Sequence, residues 1–494
     1  MVSLLCPPPI LMKHKSLSFF LVLLLLLNNF LLSGQNVSLQ TCFSLAHKNN
    51  LLIRQSQHSV QARKYALAAE KLSILPKVDL LAGYNYLSNP LTINLQTVKN
   101  GVVLGSSQQS MYTANEVYRQ ITGQNLPGPV QQEIYNTAKN IIETAYPDYN
   151  PELSQQQYFT AGLFVRQPIW LGGKLNTARN VASTELKSGI LNQQVVENEL
   201  DLTIALQYFR ILYLNTMLML NKETVAAFEK NENFATELVK NNIIPPYFQS
   251  WTKVLLVQAR SRQNNTLLDK QNTFTEMNRL LGIPADTLLK IDDTLHYRQF
   301  EMEPPEKNQS LQNSLLLMAE NNTILARTNI NGARSLLLPN LFGVANINLY
   351  QKDLPVTTPP WMVGLELQWS LFDGFKNYKQ VQATKQIAEE VFLQEENTRT
   401  VINTKIVVAL NRLKSIQQDI AALDSARLEA KTTTSLIAER ARNNFSSPKD
   451  INDALIIGEE IEKTYYTAVF GYYIALAEYF NLAGVSQRIT EYIK

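Results

Sequence analysis

The stretch Trp361-Met362-Val363-Gly364-Leu365-Glu366-Leu367-Gln368-Trp369-Ser370-Leu371 alternates strictly. Trp361, Val363, Leu365, Leu367, Trp369 and Leu371 fall on one side of an extended chain and Glu366, Gln368 and Ser370 on the other, because successive strand side chains point to opposite faces. About ten residues of such alternation, with aromatics at both ends, is the pattern of a strand that crosses a membrane as part of a barrel. Directly after it, Phe372-Asp373-Gly374 opens a run that contains neither Gly nor Pro until Pro448. That run predicts a helix over 376–442, about 100 Å long at 1.5 Å per residue, too long for a globular core.

The same sequence of events occurs earlier. Tyr158–Trp170 sets Phe159, Ala161, Leu163 and Val165 against Thr160, Gly162 and Arg166, then leads through Gly172 into a predicted helix over 174–240. Val78–Tyr86 and Leu341–Tyr350 supply two further strands, with Asp79, Asn85, Asn346 and Asn348 on their polar beats. In the first long helix, Leu200, Ile204, Ile211, Leu214, Leu218, Val225 and Phe228 form one apolar seam, with Gln207 and Asn221 at two missing beats. Leu202, Leu206, Phe209, Tyr213 and Leu220 form a second track. Two seams mean neighbours on both sides, as in a curved wall of helices.

The chain therefore reads as a duplication. Gly172 and Gly374 open the long helices, Asn242 and Asn444 end them, and Gly282 and Gly484 close the return helices, each pair separated by 202 residues. The expected division is a first repeat over 35–284, with strands about 77–88 and 158–170 and helices 174–281. A connector over 285–309 leads to a second repeat over 310–494, with strands about 340–350 and 361–372 and helices 374–482. Upstream, Leu45-Ala46-His47-Lys48-Asn49-Asn50 resembles Leu317-Met318-Ala319-Glu320-Asn321-Asn322, and Pro76 pairs with Pro339. On that pairing the second copy is about nine residues shorter. Leu87–Gln157 is read as a polar loop (89–157) with a short helix at 130–145. Such a loop faces outside the cell, where it either covers the mouth or is an inert decoration.

The N-terminus carries a basic run, Met12-Lys13-His14-Lys15, an apolar Leu17–Leu32 and then Ser33-Gly34-Gln35. This is the layout of a secretory signal peptide over 1–34, with 1–11 read as an upstream start extension. Cys42, preceded by Thr41, is read as a packed thiol.

Composition narrows the function. Charged residues make up 18% of the 494 residues and the formal net charge is +3, so no basic stripe for nucleic acid is present. Four histidines and two cysteines are scattered without metal-ligand spacing,. No nucleophile and base converge, and no phosphate-binding loop of the G-x-x-x-x-G-K-[ST] type occurs. The expectation is no enzyme, no cofactor and no metal.

Four strands cannot close a spanning barrel, and open sheet edges are not tolerated in lipid. Three copies under cyclic symmetry close a twelve-stranded pore. The fold class read from the sequence is mainly α with a membrane β-barrel portion: long helical hairpins plus four transmembrane strands per chain, in a homotrimer.

Over residues about 40 to 490 the chain resembles the TolC family of outer-membrane efflux channels. The resemblance rests on Leu39–Asn50, Leu75-Pro76-Lys77-Val78, Gln167-Pro168-Ile169-Trp170-Leu171-Gly172-Gly173 and Trp369-Ser370-Leu371-Phe372-Asp373-Gly374, in their order, spacing and duplication. It implies a trimer in the outer membrane, with a twelve-stranded α-helical tunnel across the periplasm. It also implies two partners, a periplasmic adaptor and an inner-membrane transporter of the RND or ABC type. The implied role is a passive exit duct in tripartite efflux or type I secretion. The alternative is a periplasmic adaptor with a coiled-coil hairpin, which would need one hairpin flanked by β-domains.

The entrance of such a tunnel lies at the helix–turn–helix tips, here Asn241–Gln249 and Asn443–Asn452. The resemblance places Asp450 and Asp453, one helical turn apart, at the periplasmic constriction. The other reading makes Asp450 an N-cap and Asp453 a partner of the helix's positive end. In the first tip, Tyr247, Phe248 and Trp251 are expected as an adaptor contact or as a packing surface.

Overall fold

The structure, a computed structural model, describes residues 37–146, 152, 155–292, 294–301, 312–351, 359–443 and 445–493. The expected signal peptide, Asn444 and the stretches 302–309 and 352–358 lie outside the described residues. In chain order the elements are α1 (Leu39–Asn49), α2 (Leu51–Leu72), β1 (Lys77–Tyr86), α3 (Gln96–Thr122), α4 (Gly128–Ala145), β2 (Gln157–Trp170), α5 (Lys174–Lys240), α6 (Tyr247–Leu281), α7 (Ser314–Arg334), β3 (Asn340–Gln351), β4 (Trp361–Gln368), α8 (Lys376–Arg442) and α9 (Pro448–Leu482). Among the described residues no helix is long and apolar enough to cross a membrane.

The long helices have the expected bounds, and α5 runs through Gly189 without a break. Both α5 and α8 have 67 residues, and both return helices, α6 and α9, have 35. Strand β4 ends at Gln368 rather than near 372. The chain folds as two compact units, each drawn from both halves of the sequence. A helical unit takes the chain up to Ala69, then Asn176–Ala333 and Tyr378 onward; a strand-bearing unit takes Glu70–Leu175 and Arg334–Asn377.

In the helical unit one core joins α1, the middle of α5 and α8, and the C-terminal halves of α6 and α9. Phe209 stacks on Tyr473 at 4.5 Å and Tyr213 on Phe470 at 4.9 Å, so aromatic pairs tie α5 to α9, each adding about 0.5–1.5 kcal/mol beyond area burial. Of the first apolar seam, Leu218 is half-buried and the other members are buried; the second track is half-buried except for Phe209. The connector contributes Ile291, Leu295 and Phe300 to this core. The Phe300 amide donates to Tyr472 Oη at 2.7 Å, and Tyr473 Oη donates to the His296 carbonyl at 2.8 Å. Cys42 is fully buried, and burial pushes its thiol up to about 12, which makes it unreactive.

Two equivalent joints correct the upstream alignment. Asn50 Nδ2 donates to the Leu280 carbonyl at 2.8 Å and its Oδ1 accepts from the Leu52 amide at 2.8 Å. Asn313 Nδ2 donates to the Leu482 carbonyl at 2.8 Å and its Oδ1 accepts from the Leu315 amide at 3.0 Å. Helices α2 and α7 start directly after these asparagines. Asn50 thus corresponds to Asn313 as Pro76 does to Pro339, both 263 residues apart. The second copy is not shortened; the likeness of Leu45–Asn50 to Leu317–Asn322 was local and misaligned by nine residues.

A second correction concerns 89–157. The described residues of this segment include a helical hairpin, with the expected short helix found as α4 and a longer α3 before it. Gly101, Gly105 and the serines Ser106, Ser107 and Ser110 lower the intrinsic helix propensity of α3,; packing on α4 overrides it.

The core also holds one charged contact that composition did not reveal. His47 Nε2 lies 2.7 Å from Oδ1 of Asp201, whose other oxygen accepts from Gln487 Nε2 at 3.3 Å. The hydrogen bond to Asp201 holds the imidazole pKa above its ordinary value, against a smaller desolvation effect and with help from Glu197. The stabilisation from this raised pKa is complete below the ordinary histidine range near 6.5 and fades as pH climbs through the raised value. Chemical denaturation at a series of pH values is therefore expected to show stability falling on the alkaline side. His47→Gln is expected to flatten that dependence.

Candidate functional site

In the strand-bearing unit the sheet has the order β1-β2-β3-β4, all antiparallel. The register pairs Val78 with Val165, Leu80 with Leu163 and Ala82 with Ala161; it continues Leu163 with Ile347 and Ile347 with Trp361. One face thus carries Val78, Leu80, Ala82, Tyr84 and Tyr86 on β1, Phe159, Ala161, Leu163 and Val165 on β2, Leu341, Gly343, Ala345 and Ile347 on β3, and Trp361, Val363, Leu365 and Leu367 on β4. Its polar members are Gln157, opposite Tyr86 at one end of the strands, and Gln167, opposite Gly343 near the other. Along the two outer strands this face is open: Leu80, Tyr84, Val363 and Leu365 are each 65–73% exposed.

The opposite face is mixed and polar. It carries Lys77, Asp79 and Asn85, then Thr160 and Arg166, then Asn346 and Asn348, then Glu366 and Gln368. Arg166 pairs with Glu366 at 3.3 Å and its guanidinium lies 3.7 Å from the Phe342 ring centroid. β1 and β4 each have one edge without a strand partner among the described residues. A sheet apolar on one face, polar on the other and open at both edges cannot rest in water or in lipid alone.

The helical tips belong to the other unit. α5 ends where Asn242 takes a left-handed φ of 53°, with the Ile243 amide returning to the Leu238 carbonyl at 2.9 Å. Asn tolerates this conformation better than most residues. The second tip repeats the closure, the Phe445 amide returning to the Arg440 carbonyl at 2.9 Å. Ser447 is the N-cap of α9. Its hydroxyl accepts from the Asp450 amide, and an Asp450 carboxylate oxygen accepts from the Ser447 amide at 2.8 Å, a reciprocal capping box. The expectation that Asp450 is itself the N-cap is corrected: it occupies the third helical position. Both aspartates are exposed and line one groove of about 430 Å³ between α8 and α9, with Ile437, Ala454 and Ile457.

Tyr247 and Trp251 are 64% and 59% exposed, and Tyr247 stacks on the half-buried Phe248 at 4.5 Å. Within one chain Tyr247 and Trp251 are thus not core residues.

What holds the two tips together was invisible in the sequence. Asn231 Nδ2 on α5 donates to the Pro448 carbonyl at 2.9 Å and to Asn452 Oδ1 at 2.7 Å; Asn452 Nδ2 donates to Thr252 Oγ1 on α6 at 3.0 Å. All three side chains are buried. Polar residues in a long helix read as solvent-facing, and no short motif links residues more than 200 positions apart. Asn231→Ala leaves buried partners unpaired, which costs about 1–3 kcal/mol. Tryptic cleavage after Lys449 is expected to accelerate in this variant, while the sheet's resistance is unchanged.

No family model matches the sequence, and no curated protein matches it. Solved structures do match. VceC, an outer membrane protein of Vibrio cholerae, is 12% identical with a TM-score of 0.66, over 90% of this chain and 96% of that one. The Campylobacter jejuni CmeC outer membrane channel is 14% identical with a TM-score of 0.68, over 92% and 90%. The open state of the Neisseria gonorrhoeae MtrE outer membrane channel is 14% identical with a TM-score of 0.69, over 91% and 89%. The fold is that of the TolC-like outer-membrane channels. In the TolC-like fold the likeness spans nearly the whole described chain, so both the open-edged sheet and the paired hairpins belong to it.

Proposed function

We propose that three copies of this chain form a passive exit duct in the outer membrane, open to a helical tunnel in the periplasm. One observation carries the reading: a four-stranded sheet with one face apolar through the middle of every strand and, among the described residues, two free edges. Joining β1 of one copy to β4 of the next satisfies every edge, turns the apolar face to lipid and the Lys77, Asp79, Arg166, Glu366 face to a water-filled lumen. The duplicated halves, 35–284 and 310–494, each contribute two strands and one hairpin. Two hairpins and a four-stranded sheet in one chain fit a duct rather than an adaptor, which needs a single hairpin. Asp450 and Asp453 form rings of negative charge at the periplasmic entrance, and Tyr247, Phe248 and Trp251 offer an aromatic contact for a periplasmic adaptor. An inner-membrane transporter supplies the energy.

Planar-bilayer recording on the purified protein tests the duct directly, and neighbouring positions on β3 test its sidedness. Ala345→Arg puts a charge toward lipid near mid-strand, at about 2–4 kcal/mol, and is expected to abolish membrane insertion. Asn346→Arg, one residue on, faces the lumen and is expected to insert and conduct. Equal tolerance of both would overturn the reading.

A further inference from the structure

The α3–α4 hairpin is planted on the β1–β2 turn, at the end of the strands remote from the starts of α5 and α8. Its feet are pinned together: Tyr86 pairs with Gln157, and Thr92 bridges to Glu152. α3 and α4 pack on each other, and only Val103 and Ser107 of α3 are buried. Another stripe of α3, following three-and-four spacing, holds Val98, Gly101, Val102, Gly105 and Tyr112. Val98 and Tyr112 are 60% and 62% exposed, and no atom lies within 4 Å of the place a Cβ would take on either glycine. From Asn100 to Asn115 the helix has no charged residue. An uncharged, glycine-containing helix with an open apolar stripe is a poor solvated helix, but it permits close approach of a second helix.

The occupant follows from the trimer proposed above, on which this inference rests. Only nine residues separate β1 from α3, and β1 is the edge strand that joins the next copy. A ring of twelve strands spaced about 4.8 Å apart and tilted about 40° is about 24 Å across, which sets three hairpin feet about 20 Å apart on one rim. Two packed helices are themselves about 20 Å wide. α3 extends about 40 Å, so three hairpins rooted this closely abut. Charge does not oppose their contact, because Lys99, Arg119 and Lys139 balance Glu116, Glu133 and Glu143 within each hairpin.

We infer that the three α3–α4 hairpins of a trimer pack against one another through the Val98–Gly105 stripe and form a helical crown over the outer mouth of the barrel. The test uses the full-length trimer with a single introduced thiol, Cys42 being buried. Oxidation of Val98→Cys is expected to move about two-thirds of the chains to a dimer band in denaturing gels, since a threefold ring of single thiols closes one bridge per trimer. Leu104→Cys, exposed about 9 Å farther along α3 and on a different side of it,, is expected to stay monomeric. Adding Gly105→Leu to Val98→Cys is expected to abolish the bridge by holding the helices apart. An intact trimer in which Val98→Cys does not cross-link, or cross-links no better than Leu104→Cys, overturns the crown and leaves the duct standing, as hairpins lying outward on the lipid surface would give. Absence of a trimer overturns both.

Discussion

Channels in which Asp450→Asn is combined with Asp453→Asn are expected to conduct better than the parent and to resist block by multivalent cations. In a trimer the two positions supply six carboxylates around one axis. Exposed charges a few ångströms from a cation contribute about 1 kcal/mol each in water, so removal of one ring of three weakens block by at least about tenfold. The amide substitution matters at Asp450. Its carboxylate also accepts from the Ser447 amide, and an asparagine oxygen can keep that bond, whereas alanine would cost about 1 kcal/mol of helix start. Asp453 has no such duty, so Asp453→Asn alone reports on charge with the cap intact. Unchanged conductance and unchanged block in planar bilayers would remove both residues from the constriction.

The largest loss of stability is expected from Gly484→Ala. Gly484 follows α9 with a φ of 76°, and the Val485 amide returns to the Phe480 carbonyl at 2.9 Å. A side chain there would run into the backbone of Gln312, just where Asn313 is hydrogen-bonded to the end of the same helix. The left-handed conformation costs about 1–2 kcal/mol in a residue with a Cβ, and an overpacked contact that cannot yield costs about 1–3 more. Gly374 has a similar φ of 67° but nothing within 4 Å of its Cβ position, so Gly374→Ala should lose only the conformational share. Denaturant midpoints of the two variants measure the difference. The equivalent joint at Gly282 lies against Asn49, whose carbonyl carbon would be 2.7 Å from a new Cβ, and should respond like Gly484.

Much of this architecture was readable because it is written at short range. The limits of α5 and α8 follow from the glycines that precede them, Gly172-Gly173 and Gly374, and from the Gly- and Pro-free runs that lead to Asn242 and to Pro448. The sheet follows from alternation, since the residues placed on one side of each strand are those the register brings to one face. Failures came where packing decides. α3 was hidden by Gly101, Gly105 and its serines, which are poor helix formers until a partner helix is present. The upstream repeat was misaligned because six similar residues outweighed the side-chain bonds of Asn50 and Asn313, which the sequence cannot display. At the tips, Asp450 and Asp453 were singled out by resemblance, and Tyr247 and Trp251 by their aromatic character. The capping role of Ser447 and the bonds among Asn231, Thr252 and Asn452 depend on which helices lie side by side.

The pairing of β2 with β3 bears on biogenesis. It joins Val165 to Ala345, about 180 positions apart, and the unit containing it needs the chain as far as Asn377. During synthesis and export the first hairpin is complete long before β2 can find its neighbour, so an oily ribbon waits in water with one side bare. Contacts this distant form slowly and leave strands open to aggregation. Assembly is therefore paced by the arrival of the second half of the polypeptide, and a nascent chain arrested before β3 has helices and the two-stranded β1–β2 ribbon but not the four-stranded sheet.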